Sequence, residues 1–231
     1  MLACAQTVVI DDAPFLEMAG RKTSFTQRAV KRAGDIVVSA AVLLLFSPLM
    51  ALIALAIRLS DGGPALYRQQ RLTVDGRRFT ILKFRTMRAE DGEATLPTQQ
   101  GDSRVTRLGS LLRCTRLDEL PQLWNILQGD MSLVGPRPEM IANVERYKLA
   151  VPTFVYRERM KAGLTGYAQI EGRYNTTPED KLMLDLLYIE NFSLWLDVQL
   201  LFRTLTVLLK PDSTEGFEDP LSTVETDKKE C

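Results

Sequence analysis

The sequence predicts an α+β protein seated in a membrane by one apolar segment, with amphipathic helices and a small β-hairpin. Three observations predict it. Residues Ile36 to Ile57 run for 22 positions without a charge, long enough to cross a bilayer as a helix. Basic residues flank that run on both sides: Arg21, Lys22, Arg28, Lys31 and Arg32 before it, and Arg58, Arg68, Arg71, Arg77 and Arg78 after it. Beyond it, ALYRQQRLTVDGRRFTILKFRTM reads as two short strands about an Asp-Gly turn at Val74–Arg77.

Taken in order, residues 1–27 mix polar and apolar side chains without a period, which predicts a flexible leader. The apolar run is too long and begins too far in for a secretory signal. Ser47-Pro48 sits at its midpoint. Proline removes a backbone donor and disfavours helical angles in its predecessor, and the serine hydroxyl can satisfy a freed backbone group. Positive flanks mark cytoplasmic sides, so a segment that enters, bends and leaves on one face competes evenly with a kinked span. Lys31 and Asp35, four positions apart, are expected to pair. DGGP at residues 61–64 is a turn.

Arg88 to Asp102 reads as a loop, Val105 to Leu112 as a short helix, and Leu117 to Leu127 as a helix with apolar residues at helical spacing. Asp118 and Glu119 would open that last helix, with Pro121 tolerated in its first turn. Ile141 to Met160 is a helical region broken near Pro152. Gly163 to Thr177 is loop or short strand. Pro178 starts a helix with acids in its first turn. Ser193 caps a final helix, which either lies on the membrane surface with Trp195 at the interface or packs in the core. Residues 211–231 carry seven acids against two lysines and predict an acidic disordered tail. The chain therefore divides into a leader (1–27), a membrane helix (28–60), a part with a hairpin and amphipathic, membrane-associated helices (61–210) and the tail (211–231).

Formal net charge is zero, but outside the tail 27 basic residues face 22 acidic ones, which suits anionic partners. There is no histidine, and Cys4, Cys114 and Cys231 are scattered. Ser-His-Asp triads and histidine zinc sites are excluded, and a metal here would be oxygen-bound, with Mg2+ the natural candidate.

Four stretches occur in order: KRAGDIVVSAAVLLLFSPLMALIALAI, ILKFRTM, LDELPQLWNILQGDMSLVGPRP and DLLYIENFSLWLD. Together, across about residues 28–210, they resemble the bacterial sugar transferases, the monotopic phosphoglycosyl transferases that start glycan assembly. The resemblance implies a monotopic membrane protein with a re-entrant helix-break-helix segment, in which Lys31, Asp35, Ser47 and Pro48 take part. It implies a bacterial inner (cytoplasmic) membrane location with the catalytic part facing the cytoplasm. No multi-helix membrane domain is expected in front, unlike in many larger members.

The implied reaction moves a sugar 1-phosphate from a UDP-sugar to polyprenyl (undecaprenyl) phosphate, releasing UMP. Asp118 is implied as the nucleophile, forming a covalent phosphosugar, and Glu119 as the Mg2+ ligand. A carboxylate is anionic at neutral pH and needs no base to attack phosphorus, so a chain without histidine can manage this chemistry. Attack on an anionic diphosphate needs compensating positive charge, which Arg113 and Arg137 can supply. Pro136-Arg137-Pro138 resembles the family's nucleotide-binding turn, and Lys83, Arg85 and Arg88 its basic strand end. Asp185, Tyr188 and Asn191 lie on one helix side and are implied to support the site. Arg173 remains in its loop, whereas Lys161-Ala162 stands where many relatives have Arg-Pro. The 172–191 stretch resembles exopolysaccharide and capsule members. Implied partners are membrane lipid, the two substrates and downstream glycosyltransferases, and no nucleic acid. Two alternatives are a non-catalytic membrane adaptor of glycan assembly and a magnesium-dependent nucleotide-sugar phosphohydrolase.

Overall fold

The computed structural model describes the backbone of residues 6–10 and 13–17, and residues 24–88, 104–172 and 177–208. The acidic tail, most of the 88–102 loop and Arg173 lie outside the described residues. Within the leader, β1 (Gln6–Ile10) and β2 (Ala13–Glu17) form an antiparallel hairpin.

Helix α1 (Phe25–Asp61) follows, with the Gln27 side chain accepting from the Ser24 amide at 3.1 Å. It corrects the expected break, because the helix is continuous through Ser47 and Pro48. The reason is local. Pro48 cannot donate to the Leu44 carbonyl one turn back, and the Ser47 hydroxyl donates to that carbonyl instead, at 2.9 Å. Gly62 ends the helix in the left-handed region (φ 70°), its amide bonding the Arg58 carbonyl.

The expected hairpin is present. Strands β3 (Leu66–Leu72) and β4 (Arg78–Phe84) pair antiparallel, Tyr67 opposite Lys83. Asp75 and Gly76 both take positive φ between them, as a primed turn demands. Helix α2 (Arg107–Cys114) follows a Thr106 cap, then a single 3-10 turn (Leu117–Glu119), then α3 (Gln122–Gln128). The expected helix over 117–127 is thus split. Arg116 sits at φ 56°, and Pro121 precedes α3 rather than entering its first turn.

Strand β5 (Ser132–Val134), α4 (Ile141–Ala150) and a 3-10 segment (Pro152–Arg159) come next, the break falling at Pro152 as expected. Residues 163–171, expected as loop or strand, form β6 (Gly163–Thr165) and the short α5 (Tyr167–Glu171). Helix α6 (Pro178–Glu190) is capped by Thr177, and α7 (Leu194–Leu208) by Ser193, whose hydroxyl accepts from the Leu196 amide.

The main core joins β4, α3, β5, α6 and α7 through Phe79, Ile81, Ile126, Met131, Tyr188 and Leu200. Asn125 holds α3 against β4, accepting from the Leu82 amide (3.0 Å) and donating to the Thr80 carbonyl (2.8 Å). Parallel β5 and β6 meet at backbone contact: a side chain on Gly163 would lie 2.1 Å from the Gly135 nitrogen.

Both halves of α1 pack on this body. Val42 and Leu43 abut the main core, while Ile53 and Ile57 bury with Phe84 and Leu112. Between them Leu44 and Leu45 are largely exposed. The expected Lys31–Asp35 pair is also corrected. Lys31 bonds Asp197 (2.5 Å) and the Val134 carbonyl (3.0 Å), and Asp35 accepts from the Leu133 amide (3.0 Å). Both side chains turn inward because α7 and β5 offer buried partners, where pairing outweighs an exposed one-turn ion pair. Helix α7 buries Leu200 and exposes Trp195, Val198, Phe202 and Leu205 at helical spacing, so it packs in the core on one side and presents an apolar face on the other.

Candidate active site

Three elements deliver the charged groups. The left-handed Arg116 backbone turns the chain sharply after α2, so that Asp118 and Glu119 sit on their own 3-10 turn. Lys83 arrives from the end of β4, on the face that buries Phe79 and Ile81. Arg137 comes from the turn after β5. Arg113 is set by α2, which lies so close to Thr86 that a side chain on Gly109 would strike the Thr86 carbonyl. The Arg113 Nε donates to the Thr86 hydroxyl at 2.9 Å.

Glu119 accepts from Lys83 at 2.7 Å and from Arg137 at 3.4 Å, both through Oε1. Burial pushes this carboxyl up, but the two cations outweigh burial and hold it well below the usual carboxylate range. Asp118 has no hydrogen-bond partner among the described residues. Its burial, followed by the Glu119 charge, pushes it up to about 6, against the opposing pull of Lys83, Arg113 and Arg137. Two adjacent carboxyls thus differ sharply: one is locked as an anion by close cations, the other is left unpaired in their field.

The Pro136–Pro138 turn is fixed from behind. Pro136 accepts from the Gly163 amide at 2.9 Å, and Pro138 from Arg71 at 3.3 Å. Arg157 donates to the Arg137 carbonyl (2.9 Å) and pairs with Asp185 (2.7 Å). Lys181 pairs with Glu139 at 2.8 Å, and with Arg157 it outweighs burial and lowers that carboxyl to about 2.

Lys83, Arg113, Asp118, Glu119 and Arg137 are therefore brought together, with Pro136 and Pro138 holding Arg137. Other expected members are placed elsewhere. The Arg85 guanidinium packs against Gly63, and Arg88 is exposed, its amide bonded to the Arg104 carbonyl. Asp185 reaches the site only through Arg157. Tyr188 is buried with its hydroxyl donating to Asp197 at 2.7 Å, part of the Lys31 cluster rather than the site lining. Asn191 caps α6, its amide donating to the Leu187 carbonyl. Asp185 and Tyr188 are buried against the core, whereas Asn191 lies at the partly exposed end of α6, and none of their partners could be read from helical spacing.

The sequence reading missed Arg71, Gln122, Glu139, Arg157 and Lys181. Arg157 stands in YRER, which reads as an exposed charge run, yet it is 5% exposed. Gln122 follows the acid pair inside LDELPQ and could have been suspected from that position. Burial, followed by Glu139, sets Arg71: desolvation lowers it to about 10 despite that carboxylate.

The bacterial sugar transferase family matches residues 26–211. A Caulobacter vibrioides UDP-glucose:undecaprenyl-phosphate glucose-1-phosphate transferase is 46% identical over 189 residues, covering 79% of this chain and 71% of that protein. An Escherichia coli protein of the same name is 40% identical over 202 residues, covering 85% of this chain and 44% of its own length. An Aeromonas hydrophila UDP-N-acetylgalactosamine-undecaprenyl-phosphate N-acetylgalactosaminephosphotransferase is 41% identical over 184 residues, covering 78% and 44%. The chain thus spans less than half the length of the last two. Helix α1 is long and apolar enough to cross a membrane, with most of that stretch unburied, in keeping with a membrane-associated family. By a match that takes in both the apolar helix and the acid pair, the chain belongs to the bacterial sugar transferase family.

Proposed function

We propose that this protein transfers a sugar 1-phosphate from a UDP-sugar to polyprenyl phosphate through a covalent intermediate on Asp118. The observation that carries the reading is the unpaired Asp118 carboxylate, set beside a paired Glu119 and within the field of Lys83, Arg113 and Arg137. The relatives' names, which differ in sugar but share nucleotide donor and lipid phosphate acceptor, supply the substrate class.

An Asp118 oxygen attacks the β-phosphorus of the donor. The bond from that phosphorus to the bridging oxygen breaks, and the electron pair leaves on UMP. An oxygen of the acceptor phosphate then attacks the same phosphorus and displaces the aspartate, giving a polyprenyl diphosphate sugar. Asp118 needs no base because it is ionised at neutral pH, above its value of about 6. Lys83, Arg113 and Arg137 offset the charge that gathers on the transferring group.

Mg2+ fits the residues present. Glu119 engages its cations through Oε1 alone and Asp118 is unpartnered among the described residues, and one or two carboxylates plus substrate phosphates is the usual way this ion is held. The described residues contain no group of three such ligands, so Glu119 would hold the ion together with substrate oxygens. When bound, it supplies further positive charge at the diphosphate.

The segment α1 is proposed to be re-entrant, with both ends on the cytoplasmic side of the inner membrane. Its support is that Val42 and Leu43 before the midpoint and Ile53 and Ile57 after it pack on the same body, with Leu44 and Leu45 between them exposed. A role in exopolysaccharide or capsule assembly rests on the 172–191 resemblance.

The test is incubation of the purified protein with a panel of UDP-sugars, Mg2+ and undecaprenyl phosphate. UMP should be released in bulk only when lipid is present. Without lipid, mass spectrometry should find a phosphosugar on the peptide containing Asp118. Bulk release without lipid would establish hydrolysis instead, and an adduct elsewhere would remove Asp118 as nucleophile. Excess chelator should abolish turnover, with Zn2+ a poor replacement.

A further inference from the structure

Beside the acid pair lies a small cleft, partly open to solvent, lined by Arg71, Lys83, Glu119, Gln122, Arg137 and Pro138 among others. Two of these side chains carry donors that the fold leaves unused. The Gln122 side-chain nitrogen is buried, in a residue only 3% exposed, and has no hydrogen-bond partner among the described residues. The Arg71 Nε is likewise buried and unpartnered. Buried donors are nearly always satisfied, so each orphan needs an explanation.

The charge points the same way. The Arg71 guanidinium bonds only neutral oxygens, the Pro138 carbonyl and the Gln69 side chain at 2.6 Å, and makes no ion pair among the described residues. A buried guanidinium without a carboxylate at contact distance is costly. The one carboxylate on the cleft wall, Glu119, is already engaged by both Lys83 and Arg137. The wall therefore holds three cations against one anion, and two idle donors. An anion completes it, and a guanidinium with a neighbouring amide suits the oxygens of a phosphate.

We propose that Arg71 and Gln122 form a phosphate-monoester subsite beside the reacting phosphorus, which receives the phosphate that leaves with the nucleoside. This rests on the proposed reaction. The leaving oxygen departs on the side of the phosphorus opposite Asp118, and the acceptor must approach from that same side to displace the aspartate. The phosphate of the lipid acceptor therefore takes the same subsite in the second half. Gln122 stands three residues beyond Glu119 at the start of α3, while Arg71 reaches in from β3, so the subsite is built from rigid elements.

The experiment measures binding of UMP and of uridine by calorimetry to the detergent-solubilised full chain, for wild type, Gln122→Glu and Arg71→Met. Gln122→Glu keeps the shape and sets an anion against the phosphate. Wild type should prefer UMP to uridine, and each variant should lose about 10- to 100-fold in UMP affinity, the scale of a charged hydrogen bond, with uridine affinity unchanged. Unchanged uridine binding also shows that a variant is folded, and Gln122→Glu decides the matter should Arg71→Met fail to fold. In the second arm, each wild-type or variant adduct on Asp118 is isolated and mixed with undecaprenyl phosphate. A raised KM for the lipid extends the subsite to the acceptor, and an unchanged KM confines it to the nucleotide. Variants that retain the wild-type preference for UMP over uridine overturn the proposal. A wild type that forms no adduct and releases no UMP refutes the reaction itself, a distinct result.

Discussion

Replacing Asp118 with asparagine should stabilise the protein while destroying its activity, and the gain should depend on pH in a defined way. Burial first, then the Glu119 charge, raises the Asp118 carboxyl from 3.8 to about 6. The folded state therefore binds this proton more tightly than the unfolded chain does. Its contribution to stability is fully present below 3.8 and is lost as pH rises through 6. The gap corresponds to about 3 kcal/mol. Asparagine cannot ionise and escapes that loss. The advantage of Asp118→Asn over wild type should be about 0.6 kcal/mol at pH 4, about 1.6 at pH 5 and about 3 at pH 7. For a chain of this size about 3 kcal/mol is about 6 to 12 °C in Tm. Denaturation of both proteins without substrate or Mg2+, at several pH values in one detergent, measures it. Equal stability at pH 7, or a difference that does not change between pH 4 and 7, would refute the reasoning that Asp118 is held unpaired at a cost to the fold.

The same variant should lose several orders of magnitude in UMP release. Replacing Ser47-Pro48 with Ala-Leu restores the backbone donor that Pro48 lacks and should turn α1 into a span; cysteine labelling near Lys31 in intact cells should then succeed from outside, and labelling of the unaltered protein there from outside would end the re-entrant reading. Asp185→Ala leaves the Arg157 guanidinium, 5% exposed, without its close carboxylate, and should cost about 3 kcal/mol in urea denaturation. A loss below about 1 kcal/mol would show that Glu139, 4.0 Å away, takes over the pairing.

Interactions that close within a few residues were legible without the fold. Asp75-Gly76 demanded positive φ, Pro178 with its following acids marked the start of α6, Ser193 offered a cap just before an apolar period, and the Ser47 hydroxyl lay within reach of the carbonyl that Pro48 leaves free. The acid pair was legible as well, because its motif lies in one stretch. The split of 117–127 was not, since nothing local marks Arg116 for a left-handed backbone. Lys31 has Asp35 four residues away but bonds Asp197, 166 residues on, because α1 and α7 meet beside β5. Lys83 and Arg137 reach Glu119 from β4 and from the turn after β5. The sequence by itself thus determined which carboxylates, cations and apolar runs exist and how each segment coils. Which charges meet, and how far water is excluded from them, was decided only by tertiary packing. That packing makes Glu119 a bound anion and Asp118 a free one, because Coulomb attraction and desolvation depend on distance and burial rather than on position along the chain.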